Sequence, residues 1–92
     1  MITTVGIVGA GTMGSGIAQV FAQSGFTVRL VDLAEPMLDR AKLSIQKSLA
    51  RFVSKGTVSA AGRDGALSRL HMSTSLDALG DADLVIEAIV ED

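Results

Sequence analysis

Apolar residues in this chain fall into short runs separated by glycines, and between the runs they recur at helical spacing. The first run, Ile2 to Val8, puts apolar residues on both faces and is rich in β-branched residues. That pattern predicts a central parallel strand covered on both faces by helices. From Thr12 to about Ser24 the spacing changes to that of a helix, with Met13, Ile17, Val20 and Phe21 on one stripe expected to face the core, and Gly25 as its stop. Thr27 to Val31 is a second strand. Glu35-Pro36 opens a long helix, since Pro suits the first turn and Glu the positive end. Its buried stripe is Leu38, Ala41, Ile45, Leu49, Phe52 and Val53, and Gly56 ends it. Ser59 is placed to cap a shorter helix reaching about Arg69, although Gly62 and Gly65 each cost it about 1 kcal/mol relative to Ala. Leu70 to Thr74 predicts strand three, Ser75 to Leu79 a capped single turn closed by Gly80, and Ala82 to Val90 strand four.

Strands separated by helices call for a parallel sheet with right-handed crossovers. The expected fold is α/β, a Rossmann-type doubly wound sheet of spatial order 3-2-1-4, truncated after its fourth strand. Strand four then lies at a sheet edge with a strongly apolar sequence, a pairing liability unless something covers it. On that ground the 92 residues read as one incomplete domain.

The stretch Gly9-Ala10-Gly11-Thr12-Met13-Gly14 gives the pattern its chemistry. Strand, Gly-x-Gly-x-x-Gly, then helix is the context that a dinucleotide-binding turn requires. Gly9 permits the tight turn, Gly11 lets a pyrophosphate approach the backbone, and Gly14 lets the helix pack close. The helix start then directs its free N–H groups and positive dipole end at the phosphates. Asp32 ends strand two, 18 residues after Gly14, near the ~20 expected for the acid that holds an adenosine ribose. A carboxylate accepts from both ribose hydroxyls and repels a 2′-phosphate, and Leu33 and Ala34 offer no arginine to welcome one. The expected cofactor is NAD rather than NADP.

On the long helix Arg40, Ser44, Lys47, Ser48, Arg51 and Lys55 share one face. Pattern alone reads it as a solvated surface, though cations with interleaved hydroxyls also suit an exposed phosphate. His71, the single histidine, reads as a surface or strand-flanking residue, Glu87 as a hydrogen-bonded structural carboxylate, and the Met13 and Met37 side chains as packing.

Composition narrows the partners. The net charge of −2 gives nucleic acid nothing to bind. Cysteine is absent, which excludes disulfides and Cys-based zinc sites, and no metal site is expected. No apolar run approaches the ~20 residues of a membrane span, and no signal peptide is visible, so a soluble cytoplasmic protein is expected.

Taken together, Gly9 to Val20, Asp32, Ser44 to Leu49 and Ala82 to Asp92 resemble the 3-hydroxyacyl-CoA dehydrogenase family over essentially the whole chain. The last block, Ala-Asp-Leu-Val-Ile-Glu-Ala-Ile-Val-Glu-Asp, is the most specific. The resemblance implies an N-terminal NAD-binding domain of the 3-hydroxybutyryl-CoA dehydrogenase type. It implies that Gly9, Ala10, Gly11, Thr12, Met13 and Gly14 wrap the pyrophosphate, that Asp32 holds the ribose, and that Glu91 lies near the nicotinamide. Ser48 and Lys55 match positions that contact coenzyme A, which moves the basic face from solvent to substrate. The reaction implied is reversible oxidation of a 3-hydroxyacyl-CoA to its 3-oxo form, in fatty-acid or butanoate metabolism. Its catalytic His and Glu lie beyond these residues, in a homodimeric parent enzyme. A stand-alone NAD-binding or sensing module without catalysis is the alternative.

Overall fold

A computed structural model describes residues 1–89. In chain order the elements are β1 (Thr4–Val8), α1 (Thr12–Gln23), β2 (Thr27–Val31), α2 (Glu35–Lys55), α3 (Ala60–Ser68), β3 (Leu70–Ser73), a 3₁₀ turn (Leu76–Leu79) and β4 (Leu84–Glu87). All strand pairings are parallel and the spatial order is β3-β2-β1-β4, as the alternation of patterns requires. β1 and β4 are shorter than the apolar runs that encode them: Ile2 and Thr3 precede β1, Ala82 and Asp83 precede β4, and Ala88 and Ile89 follow it.

Register fixes which residues meet. Val5 lies beside Val28 and Ile7 beside Leu30, and all four are fully buried. The α2 stripe of Leu38, Ala41, Ile45 and Leu49 closes over them. Full burial of side chains such as Ile45 and Leu49 contributes about 1.5–3 kcal/mol each. Phe21 and Phe26 pack edge to face at 5.3 Å between ring centroids, which joins the end of α1 to the start of β2.

Two expectations need correction. The buried face of α1 is not the Met13–Ile17–Val20–Phe21 stripe. It is Gly14, Ser15, Ala18 and Ala22, while Met13 and Val20 are 49% and 62% exposed and Ile17 and Phe21 are half-buried. Small residues win because this helix lies almost on the sheet, where larger side chains do not fit. The second correction concerns the sheet. Among the described residues, the helices cover the face of Val5, Ile7, Val28 and Leu30, and the opposite face carries the 3₁₀ turn. A Cβ on Gly6 would come within 2.6 Å of the Leu79 Cδ2 there, so a glycine in β1 admits the turn. Val85 of β4, on that side, is 50% exposed.

Local chemistry accounts for the element ends. The Ser59 hydroxyl accepts the Gly62 N–H at 2.9 Å and caps α3. Gly56, at φ 78°, closes α2, and Ser75 caps the 3₁₀ turn by accepting the Asp77 N–H at 3.2 Å. The glycine at 65 also has a tertiary reason. An added Cβ would press on the Arg69 guanidinium at 3.2 Å, and that group donates from Nε and Nη2 to the Ala22 carbonyl at 2.9 and 2.7 Å. Arg69 thus caps the negative end of α1. Among the described residues no helix is long and apolar enough to cross a membrane.

Candidate functional site

The β1–α1 turn lies at the carboxyl ends of the strands, where open parallel sheets bind ligands. Gly9 leaves β1 at φ 108°, a conformation that side chains rarely tolerate. Its N–H donates to the Val31 carbonyl at 2.8 Å, and a Cβ there would lie 2.9 Å from the Ala88 backbone. A Cβ on Gly14 would overlap the Gly9 carbonyl oxygen, so the helix seats directly on the turn. Gly11 differs: the nearest atom to a Cβ there is the Met37 Cε at 3.9 Å, so among the described residues nothing requires the bare backbone at that point. The backbone at Gly11 is therefore open to approach from outside.

Among the described residues, no hydrogen bond engages the backbone N–H of Gly11, Thr12, Met13 or Gly14. These are the first four N–H groups of α1, which has no side-chain cap and no acid in its first turn. Four free donors and the positive end of an uncapped helix suit an anion. Ser15, buried beneath them, donates its hydroxyl to the Gly11 carbonyl at 2.7 Å and holds the turn from inside.

Asp32 stands beside this turn, half-buried at the end of β2. An apolar cavity of about 310 Å³ opens next to it, lined by Val8, Gly9, Val31, Leu33, Leu76 and Ile89. A smaller one of about 170 Å³ joins Gly9, Gly11 and Asp32 to Met37 and Ala88. Together they form a trough from an apolar recess, past a carboxylate, to a row of free amides. A heteroaromatic ring, a sugar and a pyrophosphate have those three characters in that order. The residues present therefore fit a dinucleotide.

The chain matches, over residues 4–92, the family model described as the NAD-binding domain of 3-hydroxyacyl-CoA dehydrogenase. It belongs to that family. NAD is accordingly its cofactor. A 3-hydroxybutyryl-CoA dehydrogenase of Mycobacterium tuberculosis is 50% identical over 91 residues, 99% of this chain and 32% of the relative. The crystal structure of an (S)-3-hydroxybutyryl-CoA dehydrogenase from Ralstonia eutropha superposes with a TM-score of 0.96 at 43% identity, covering all of this chain and 32% of that one. A 3-hydroxybutyryl-CoA dehydrogenase from Escherichia coli gives 0.95 at 41%, covering all of this chain and 20% of that one. The chain thus spans about a third or less of the length of these relatives.

Of the residues expected at the site of this dehydrogenase domain, Gly9, Ala10, Gly11, Thr12, Met13, Gly14 and Asp32 come together at the turn. Ser48 and Lys55 do not join them. Ser48 lies eleven residues beyond Met37 on α2, roughly 16 Å at 1.5 Å per residue. It is half-buried and accepts the Gln19 side-chain N–H at 2.9 Å, while Lys55 is exposed at the helix end. Glu91 lies outside the described residues. Met13 is not packed, as its exposure shows. Glu87 is exposed and, among the described residues, makes no side-chain hydrogen bond, contrary to the structural role expected of it. His71, second in β3, is exposed.

Sequence reasoning missed Leu33, Leu76 and Met37 as lining of the trough. Arg40, expected on the basic face, also borders a cleft of about 190 Å³ with Gly11, Thr12, Ser15 and Ser44. Spacing within α2 could have placed Arg40 one turn from Met37, but nothing local indicates which helix meets the glycine turn.

Proposed function

We propose that this chain is the NAD-recognising portion of an enzyme that interconverts 3-hydroxyacyl-CoA and 3-oxoacyl-CoA. The observation that carries the reading is the row of free amides at Gly11 to Gly14 beside Asp32 and the apolar recess. In it, the pyrophosphate rests on the amides of the Gly9–Gly14 turn, and the Asp32 carboxylate accepts from the adenosine ribose. The adenine ring fills the recess among Val8, Val31, Leu33 and Leu76. Glu91 lies near the nicotinamide half. When bound, the nicotinamide supplies the hydride acceptor, and the protein's work is to hold it in place.

The exposed cations of α2, with Ser48 and Lys55, face the phosphates of coenzyme A. Support for this comes from the relatives, whose names specify CoA esters, and from the exposure of Arg40, Lys47, Arg51 and Lys55 along one face. The base that removes the 3-hydroxyl proton belongs to other parts of the enzyme, which on the family resemblance is a cytoplasmic homodimer.

Calorimetric titration with NAD and NADP tests the cofactor half of this reading, with binding of NAD expected and NADP weaker. Reduction of acetoacetyl-CoA by NADH tests the other half. No turnover is expected from the 92 residues alone, and turnover by them would place a catalytic base within this chain.

A further inference from the structure

The carboxylate assigned to the ribose is already engaged inside the protein. Asp32 Oδ2 accepts the Ala10 N–H at 2.9 Å, and Oδ1 accepts the Ala34 N–H at 2.9 Å. Ala10 is 3% exposed and stands between Gly9, whose N–H is tied to Val31, and Gly11, whose N–H is free. Ser15 holds the Gly11 carbonyl from the other side. The turn is therefore pinned at three successive residues, and Asp32 supplies the middle pin from 22 residues away.

We propose that Asp32 is a positioning residue for the glycine turn itself, keeping the Gly11–Gly14 amides aimed outward, and that it meets a ribose only with the lone pairs left over. The proposal rests on the dinucleotide reading above. An ionised carboxylate offers about four acceptor sites, so two remain for the two ribose hydroxyls. A buried N–H deprived of its partner carries a penalty that a neighbouring turn must absorb by moving. Asp32 thus does two jobs, and replacing it to admit a 2′-phosphate also loosens the turn that holds the pyrophosphate. A simple Asp32→Ala exchange is expected to lose NAD without gaining NADP.

The test compares Asp32→Ala with Asp32→Asn. Both remove the negative charge, but the Asn carbonyl keeps one acceptor. Amide exchange is followed in the unliganded chain, and inorganic pyrophosphate, which has no sugar, is titrated by NMR alongside NAD. Expected in Asp32→Ala is exchange at Ala10 about tenfold or more faster relative to Ile7 and Leu30, with pyrophosphate bound severalfold more weakly than by Asp32→Asn. Unchanged exchange at Ala10, or equal pyrophosphate binding by the two variants with only NAD weakened, would overturn the proposal: Asp32 would then grip the sugar and nothing else. Should Asp32→Ala fail to fold, Asp32→Asn decides, because one carbonyl cannot serve both N–H groups and either Ala10 or Ala34 must exchange faster. Failure of the unmodified chain to bind NAD or pyrophosphate would sink the dinucleotide reading instead, while the exchange measurement, needing no ligand, would still judge the pin.

Discussion

The two flanks of β1 are built on different principles. On the β2 side, the turn is fixed at several of its residues. Gly9 is held by the Val31 carbonyl and its own conformation, Gly14 by contact with Gly9, and Ala10 by Asp32. On the β4 side, Leu84 and Val85 are exposed, as are Met13 and Val20 on α1. There the polar anchor is Asp83, whose Oδ2 accepts from the Thr3 and Thr4 N–H groups and the Thr3 hydroxyl. The first flank presents its unpaired amides from a turn held at Gly9, Ala10 and Gly14. Free amides bind an anion well when their direction costs nothing to set at the moment of binding.

The contrast can be broken most severely at Gly14. A methyl group there overlaps the Gly9 carbonyl, so Gly14→Ala is expected to cost about 3 kcal/mol or more and abolish NAD binding. Chemical denaturation and calorimetry together check it. Arg69→Ala comes next: it removes both guanidinium donors to the Ala22 carbonyl and should cost about 1–2 kcal/mol while leaving a residual affinity for NAD. Gly16→Ala reverses the sign. It lies two residues beyond Gly14, but a Cβ there meets nothing within 4 Å. Helix propensity alone then predicts a gain of about 0.5–1 kcal/mol, read as a higher denaturation midpoint.

The smallest effect belongs to Asp83. The Thr3 N–H above all, then the Thr4 N–H and the Thr3 hydroxyl, hold its carboxyl below the usual carboxylate range. A depressed acid adds stability that is full above its unfolded value, near 3.9. That stability is lost as pH falls through the folded value. Stability measured from pH 6 downward should therefore fall less steeply in Asp83→Asn than in the unmodified chain, with no change in NAD affinity at pH 7.

Much of this was legible in the residues. Alternating patterns gave the strand order, and Ser59, Ser75 and Gly56 marked their own element ends because capping is local chemistry. Gly9, Gly14 and Asp32 could be placed together at the turn because the strand–turn–helix context constrains each separately. What stayed hidden depended on close approach between distant segments. Helical periodicity picked the Met13–Phe21 stripe for the core, but the short distance between α1 and the sheet selects Gly14, Ala18 and Ala22. Gly65 looked like a defect in α3 until Arg69, reaching across to Ala22, gave it a purpose. Leu76 and Met37 belong to the trough through tertiary placement, which no local pattern encodes.

The most direct test follows backbone amides by NMR as NAD is added. Binding to this trough should move the Gly11, Thr12, Met13 and Gly14 amides together with Leu33 and Leu76, and leave the far end of α1 near Gln23 unchanged. Saturable binding that moves none of the four turn amides would contradict it.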